Sequence, residues 1–448
     1  MKGFEPGLGS PVSEKGRGDK LKGYTQNMMT RRRLLRNMGL GVVGLSSASW
    51  LAGCGGGGQQ GGGGGEAIRI ASVRWSSDDI FFNAVQYGQE LEAERLRKEE
   101  GANIDFKILA TSDEAEQVDA FQTQLDSGVQ GILHTPWRGE AMINLLEQAN
   151  ERGIPVVTHN LIVPEAPQAH VAVDNVEAGR LSAETLVRRL EELRGPDWAE
   201  KGGLIIATRC FTTEAFDIAR FSGVEEVIMP LVEQNPNLKL EVFQTECAAD
   251  RARTGVDDLL SRYGKDTLLG VWSIEGTGAV GGIIPALESA GLIFPPDDPK
   301  HIPVTAIDGT GPEMDAIERG DLDHTSQQPT VGEGIMSMRM LYNYIKSESL
   351  PEPGSALLPQ GNSAGAAWKS TKLGSEETIY DPAEEVWQPL TVRADDRFAG
   401  PWYQLPIVEI PRDIPPDSPE SWPNQIEGKV EGAFAQPMFG RHRGHHHA

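Results

Sequence analysis

The sequence contains few cysteines, and it has no long apolar run after residue 54. Only three cysteines occur among 448 residues, too few for the disulfide framework of a small secreted domain. No stretch beyond Cys54 approaches the roughly 20 apolar residues that a membrane-spanning helix needs. A disulfide-rich scaffold and a protein that spans the membrane within its main body are therefore both excluded.

Basic residues are scarce relative to acidic ones. The chain has 41 lysines and arginines against 65 aspartates and glutamates, for a formal net charge of −24 at pH 7. Because such a surface repels the phosphate backbone of nucleic acids, neither DNA nor RNA is an expected partner. The same acidic excess is typical of a highly soluble surface.

The motifs of the common enzyme classes are also missing. The sequence has no P-loop, no dinucleotide-binding glycine fingerprint, no nucleophile elbow and no metal-ligand spacing. The glycine-rich segment 276–281 lies between a predicted strand and a predicted helix, and a tight turn explains it. We therefore expect a binding protein that uses no cofactor and no metal, rather than an enzyme.

The first 54 residues have the features of an export signal. Residues 30–36, Thr-Arg-Arg-Arg-Leu-Leu-Arg, match the twin-arginine pattern, and the apolar segment 38–50 has the length of a signal-peptide core. Leu51-Ala52-Gly53-Cys54 resembles a lipobox, whose cysteine carries the lipid. Residues 55–65, nearly all glycine, form a flexible tether. The order of these parts predicts a protein anchored by Cys54 to the outer face of the cytoplasmic membrane, with no other membrane contact.

After the tether, short apolar runs alternate with segments of helical periodicity. This alternation predicts parallel sheets that are covered by helices on both faces. The rhythm restarts after Asp174-Asn175, so we predict two α/β lobes, residues 66–173 and 174–328, with residues 329–346 completing the first. Open α/β sheets bind ligands beyond the carboxyl ends of their strands, so two facing lobes would form a cleft that closes on a ligand.

The composition changes in residues 351–448, which are rich in proline, tryptophan and acidic residues and show little periodicity. Leu390-Thr391-Val392 is predicted to form one last strand. We expect much of the remaining extension to wrap the surface or to be partly disordered.

Several motifs occur in an order and spacing that point to one family. They are Asp79-Ile80-Phe81-Phe82, Gly153-Ile154-Pro155-Val156-Val157-Thr158, Val173-Asp174-Asn175 with Gly179, Arg220 with Gly223, Ile307-Asp308-Gly309-Thr310, and residues 325–329. Over about residues 67–346 the chain resembles the periplasmic sugar-binding proteins that include ribose-binding protein. The resemblance implies a type I periplasmic-binding-protein fold, two lobes joined by crossing hinge strands at Asp174 and Asn175. It also implies a monomer that delivers its ligand to an ABC transporter permease.

Sugar sites hold the ring faces with aromatic side chains and the hydroxyl groups with planar polar groups. The residues that the resemblance and the strand ends together nominate are Trp75, Asp79, Phe81, Phe82, Thr135, Trp137, His159 and Asn160 in the first lobe, Glu275 and Asp308 in the second, and Gln328 on the crossing strand. Trp272, which ends a predicted strand of the second lobe, is a further aromatic candidate. Asp308 is the strongest, because Gly309 lets the backbone turn away while Thr310 is better placed to cap the next helix.

The sequence departs from the family at several of these positions. His159-Asn160 stands where the family often has Asp-Arg, Glu275 stands where asparagine or aspartate is usual, and Arg220 fits a structural arginine rather than the sugar-binding one. These departures leave a sugar, a sugar alcohol, a modified sugar or another small polar solute as candidate ligands. A sensor subunit that docks on a membrane receptor would use the same cleft and is the alternative to transport. A sugar-responsive repressor would need a DNA-binding helix pair where this chain has an export signal.

Cys210 and Cys247 are the two cysteines outside the lipobox. Each follows one of the first two predicted strands of the second lobe, and these strands should be neighbours in the sheet. An oxidising compartment permits a disulfide between them, and two free thiols are the alternative.

Overall fold

The computed structural model describes residues 67–76, 79–346, 371–373, 377–380, 391–413 and 421–423. The predicted export signal, Cys54 and the glycine tether lie outside the described residues. The strands are β1 (Ile68–Arg74), β2 (Ile104–Ala110), β3 (Gly131–His134), β4 (Val156–His159), β5 (Ala169–Val173), β6 (Gly203–Arg209), β7 (Leu238–Gln244), β8 (Leu268–Trp272), β9 (Val304–Asp308), β10 (His324–Gln327), β11 (Thr371–Leu373), β12 (Glu377–Tyr380), β13 (Thr391–Ala394), β14 (Pro401–Leu405) and β15 (Val408–Pro411).

The helices alternate with the strands through both lobes. They are α1 (Ile80–Glu99), α2 (Glu114–Ser127), α3 (Gly139–Glu151), α4 (Asn175–Arg194), α5 (Trp198–Lys201), α6 (Ala215–Gln234), α7 (Ala249–Tyr263), α8 (Gly276–Gly278), α9 (Ile284–Ala290), α10 (Gly311–Arg319) and α11 (Thr330–Lys346). A π-helical turn, Ala279–Ile283, joins α8 to α9, and a 3-10 turn, Lys265–Thr267, precedes β8. Within the described part of the chain, no helix is both long and apolar enough to cross a membrane.

The strands form one large sheet in each lobe. The first lobe has the order β13-β14-β5-β4-β3-β1-β2, and only β13 runs antiparallel to its neighbour. The second has the order β15-β10-β9-β8-β6-β7, with only β15 antiparallel. Both sheets are therefore parallel apart from one edge strand, and the prediction of two parallel α/β lobes is confirmed.

Each sheet has an apolar layer on both faces, as strands buried on both sides require. Along β1, Ile70 faces the layer formed by α1 and α11, whereas its neighbours Ala71 and Val73 face the layer formed by α2 and α3. This alternation follows from the period-2 geometry of a strand.

The chain passes between the sheets three times. It crosses after β5, after β10, and a third time between β14 and β15, through Pro406 and Ile407. The C-terminal extension carries this third crossing, so its strands β13, β14 and β15 are built into the two large sheets, whereas β11 and β12 pair only with each other. Its one predicted strand corresponds to β13. The proline-flanked strands β14 and β15 are too short to show a period in the sequence.

Glycine pairs bring two helices of each lobe into close contact. In the first lobe, a Cβ on Gly88 would lie 2.1 Å from the carbonyl oxygen of Val331, where α1 crosses α11. In the second lobe, a Cβ on Gly179 would lie 1.9 Å from the carbonyl oxygen of Arg220, where α4 crosses α6. No side chain fits at either contact. In each lobe, therefore, the helix that follows a passage of the chain between the sheets packs closely against a helix next to the lobe's first strand, α11 against α1 and α4 against α6.

Cys210 and Cys247 form a disulfide, with their Cα atoms 4.7 Å apart. The two residues follow β6 and β7, which pair in parallel at the edge of the second sheet. The disulfide therefore ties together two loops at the carboxyl edge of this sheet.

Candidate ligand-binding site

Three aromatic side chains form a wall on the first lobe, here called the aromatic shelf (Trp75, Phe82 and Trp137). Trp75 follows β1 and Trp137 follows β3, and these strands pair in parallel, so their carboxyl ends lie side by side. The ring centre of Trp75 lies 4.5 Å from the ring centre of Trp137 and 5.7 Å from that of Phe82. The rings of Trp75 and Phe82 are stacked. The indole N–H of Trp137 donates to Thr111 Oγ1 at 3.1 Å, which fixes the orientation of that ring. Trp75 and Trp137 are only half-buried, so part of the shelf remains accessible.

A chain of polar contacts runs from one lobe to the other, here called the interlobe relay (Asn160, Gln328, Asp308, Arg220 and Asn175). Asn160 Nδ2 donates to Gln328 Oε1 at 2.8 Å, and Gln328 Nε2 donates to Asp308 Oδ1 at 3.0 Å. Arg220 Nη1 lies 3.4 Å from the same Asp308 oxygen, while its Nε donates to Asn175 Oδ1 at 2.9 Å. The relay thus joins the first lobe, two of the crossings and the second lobe.

The backbone around Asp308 turns sharply at the end of β9. Asp308 itself has φ = 127°, and Gly309 has φ = 73°, in the left-handed region that suits glycine. Thr310 and Glu313 form a reciprocal capping box at the start of α10, so capping of that helix does not occupy Asp308. The Asp308 side chain, 18% exposed, is left to face the space between the lobes.

Two further predicted carboxylates, Asp79 and Glu275, lie near Asp308. Unlike Asp308, each of them caps a helix. Asp79 accepts from the backbone N–H of Phe81 at 2.8 Å at the start of α1, and Glu275 accepts from that of Gly278 at 2.7 Å. Burial, and after it the charge on Asp308, raises the pKa of Glu275 to about 7. Burial is also the main cause of the raised pKa of Asp79. Backbone N–H groups hold both carboxyl groups in place at the starts of their helices.

Thr135 and His159 are placed differently from the rest of the predicted set. Both are fully buried in the first lobe, where the Thr135 hydroxyl lies 2.8 Å from His159 Nδ1. Gln89 Nε2 lies 3.2 Å from the other ring nitrogen, and burial lowers the pKa of His159 well below its usual value. The pair therefore lies inside the first lobe, where burial keeps the His159 ring neutral directly before Asn160 in the chain.

Glu333 is a buried carboxyl group at this site that the sequence patterns did not nominate. It lies in the first turn of α11 with no exposed surface, and its Oε1 is 3.4 Å from His159 Nδ1. Burial raises its pKa well above the usual value. A charged residue between two glycines, Gly332 and Gly334, in the first turn of a helix was the signal that could have revealed it.

Arg220 and Trp272 also differ from expectation. Arg220 was interpreted as structural, yet it is the cation of the interlobe relay and faces Asp308. Trp272 lies outside the site, because its side chain packs in the core of the second lobe with no exposed surface.

The hinge residue Asp174 caps α4 by accepting from the backbone N–H of Val176 at 3.0 Å.

The lobes also touch at the rim of the cleft, through a group here called the rim latch (Arg138, Phe211 and Glu214). The guanidinium carbon of Arg138, on the first lobe, lies 4.3 Å from the centre of the Phe211 ring on the second. Arg138 Nη1 is 3.7 Å from Glu214 Oε1. Phe211 directly follows Cys210, so the disulfide holds the loop that carries it. The lobes are therefore closed on each other.

The site has no constellation suited to a metal. Among the described residues, no group of three or more histidine, cysteine or acidic side chains is arranged to hold an ion. What converges instead is an aromatic wall on one side and amide, carboxylate and guanidinium groups on the other. Such a pairing suits a compact ligand with one apolar face and several hydroxyl groups.

Residues 70–349 match the family described as periplasmic binding protein domain. Among curated proteins, the D-xylose-binding periplasmic protein of Haemophilus influenzae is 27% identical over 116 residues. That match covers 25% of this chain and 31% of the relative, about a third of its length.

Solved structures share the fold at low sequence identity. A sugar-binding protein of a sugar ABC transporter from Bacillus halodurans is 16% identical, with a TM-score of 0.55 over 77% of this chain and 98% of that one. A solute-binding protein of Bacillus halodurans solved with bound myo-inositol is 20% identical, with a TM-score of 0.52 over 64% of this chain and 92% of that one.

Proposed function

Because the chain belongs to the periplasmic binding protein domain family, we propose that it is an exported substrate-binding lipoprotein that captures a sugar or a polyol for an ABC transporter permease. Its two parallel-sheet lobes are those of the type I periplasmic-binding-protein fold that the sequence resemblance implied.

The interlobe relay is the observation that carries this proposal. It joins the Asn160 amide of the first lobe and the Gln328 amide of the crossing strand to the Asp308 carboxylate and the Arg220 guanidinium of the second lobe. Hydroxyl groups both donate and accept, so a polyhydroxylated ligand can pair with the carboxylates of this region as well as with its amide groups. The faces of a sugar or cyclitol ring are apolar enough to stack on Trp75 and Trp137.

Closure of the lobes fits a protein that carries a ligand rather than one that transforms it. Family members and structural neighbours are solute-binding proteins. In the proposed cycle, the ligand bridges Asn160 and Asp308 across the cleft, and the closed form docks on the permease. The lipidated Cys54 and the tether would keep the protein near that permease, which raises its local concentration there.

Calorimetric titration of the ligand-stripped protein tests the proposal. The probes are D-xylose, D-ribose, D-glucose and myo-inositol, and at least one should bind with a dissociation constant below the millimolar range. Recovery of that compound unchanged after incubation is expected for a carrier. Absence of binding by all four, in protein shown to be folded by circular dichroism, would contradict the proposed ligand class. Loss of uptake of the bound compound by cells that lack the protein would distinguish transport from sensing.

A further inference from the structure

The C-terminal extension places one buried tryptophan between the lobes. Trp422 lies in the short described segment 421–423 and has no exposed surface. Its ring packs edge-on against Phe81 at the start of α1, with ring centres 6.2 Å apart and planes at 85°. This contact joins the extension to the first lobe directly beside the aromatic shelf.

The same tryptophan makes two hydrogen bonds to the second lobe and the crossing strand. Its indole Nε1 donates to the backbone carbonyl oxygen of Asp308 at 2.9 Å. Its backbone N–H donates to Gln327 Oε1 at 3.0 Å, next to the Gln328 that binds the Asp308 carboxylate. Trp422 therefore contacts Phe81, Asp308 and the neighbour of Gln328 at the same time.

The bond to the Asp308 carbonyl bears on the geometry of the site. Asp308 holds φ = 127°, a conformation that residues other than glycine seldom adopt and that persists only when surrounding contacts enforce it. The indole N–H fixes the carbonyl at this turn, and the adjacent Gly309 N–H donates to Thr325 Oγ1 at 3.1 Å. Together these bonds determine where the Asp308 carboxylate points.

We propose that Trp422 is a positioning residue of the ligand site, which holds the Asp308 turn and the Phe81 ring in register across the two lobes. The C-terminal extension then contributes to the site together with both lobes. As a statement about ligand binding, this inference rests on the proposed function. As a statement about the Asp308 turn, it can be tested without a ligand.

A second tryptophan of the extension offers a matched control. The Trp402 indole N–H donates to the carbonyl oxygen of Ala172 at 3.0 Å, entirely within the first lobe. Trp402 is also buried, with 8% exposure. Trp402→Phe and Trp422→Phe therefore remove the same kind of hydrogen bond, one inside a lobe and one at the proposed site.

The experiment compares wild type, Trp422→Phe, Trp422→Ala and Trp402→Phe. Affinity is measured by calorimetry with whichever of D-xylose, D-ribose, D-glucose and myo-inositol the wild type binds. Trp422→Phe should weaken that affinity about three- to tenfold, since one net hydrogen bond is lost. Trp422→Ala, which also loses the contact with Phe81, should weaken it further. Trp402→Phe should change it less than about twofold, even where its melting temperature falls as much.

Hydrogen–deuterium exchange of the ligand-free proteins gives the second measurement. The segment 304–311 should exchange faster in Trp422→Phe than in wild type, and Trp402→Phe should leave it unchanged. If Trp422→Phe and Trp402→Phe match in both affinity and exchange, Trp422 is only a packing residue and the inference fails. If the wild type binds none of the four probes, the proposed function fails, and the exchange data alone decide the role of Trp422.

Discussion

Asp308 is the residue on which the site converges. Its carboxylate is contacted by Gln328 and lies 3.4 Å from Arg220, and its carbonyl is held by Trp422. The sequence nominated Asp308 because it ends a strand and precedes a glycine. The structure adds that its backbone holds φ = 127°, a conformation that residues other than glycine seldom adopt and that asparagine, with nearly the shape of aspartate, disturbs least. For this reason asparagine, and not alanine, is the informative substitution.

Asp308→Asn should weaken ligand binding by about tenfold or more. A hydrogen bond to a charged group contributes about 1.5–3 kcal/mol, and the amide cannot accept in place of both carboxylate oxygens. Calorimetry with the ligand identified for the wild type measures the change. Asp257→Ala, at an exposed position of α7, is the matched control and should leave the affinity unaltered. Equal affinities for Asp308→Asn and wild type would remove Asp308 from the site.

The buried carboxyl group of Glu313 should make the stability of the ligand-free protein depend on pH. Burial, and then the charge on Asp308, raises the pKa of Glu313 to about 8. The folded state therefore holds a proton that the unfolded chain releases near the usual pKa of 4.5. Because the folded state binds more protons, the free energy of unfolding contributed by this group falls as the pH rises from about 5 to 8.

Glu313→Gln should flatten this dependence. Glutamine keeps the capping-box geometry with Thr310 but carries no charge at pH 8, so the variant should be more stable than wild type there by about 1–3 kcal/mol. The two proteins should differ little at pH 5. Urea unfolding at both pH values measures the effect, and Glu318→Gln on the exposed face of α10 is the control. A parallel pH dependence in Glu313→Gln and wild type would contradict the assignment.

At the scale of elements, two kinds of contact set how the lobes close. The glycine contacts bring α11 close to α1 in the first lobe and α4 close to α6 in the second. In the second lobe this places Asn175, at the start of α4, within reach of Arg220 on α6. The rim latch then joins the loops at the far side of the cleft. Opening the cleft would break the latch and the bonds of the relay that cross between the lobes.

Arg138→Ala should therefore speed ligand release. The latch combines a cation–π contact with a partly exposed ion pair, together worth about 0.5–1 kcal/mol, so the dissociation rate should rise about two- to fivefold. The association rate should change less, because the latch forms only on closure. Stopped-flow tryptophan fluorescence measures both rates.

Arg152→Ala is the control for this prediction, because it removes an exposed ion pair to Asp126 that lies wholly within the first lobe. Its dissociation rate should match that of the wild type. An Arg138→Ala protein that releases the ligand no faster than Arg152→Ala would show that the latch does not stabilise the closed form.

At the scale of the whole molecule, the proposed role depends on where the protein is held. The proposed carrier would act near a permease and would need export and an anchor, and the sequence patterns before the first strand predict both. The strongly negative charge would favour the solubility of the proposed exported domain.

Cys54→Ser should be exported but released from the membrane, since serine cannot carry the thioether-linked lipid. Arg31→Lys together with Arg32→Lys should instead block export, because the signal is read through the arginine pair. Cell fractionation distinguishes the two variants, and mass spectrometry of the wild type should show a mature chain that begins at a lipid-modified Cys54. An unmodified chain that retains the residues before Cys54 in the cytoplasm would contradict the anchor.

Local sequence patterns were enough to predict the alternation of strands and helices, and with it the two parallel sheets. They also pointed to strand-end residues such as Asp308, Gln328 and Asn160, which the structure brings into direct contact. The reason is that burial on both faces of a strand and the turn chemistry at its end depend on neighbouring residues, so both appear in the sequence.

Tertiary structure alone decided which of these residues face the cleft and what joins them. Trp272 ends a strand as Asp308 does, yet its side chain packs in the core of the second lobe. Successive side chains of a strand point to opposite faces of the sheet, and only the tertiary packing decides what lies on each face. Arg138 meets Phe211, Glu333 meets His159 and Trp422 meets Asp308 only because the chain crosses between the lobes. No periodicity reports contacts at such separations, since they are set by the packing of whole lobes rather than by the residues adjacent in the chain.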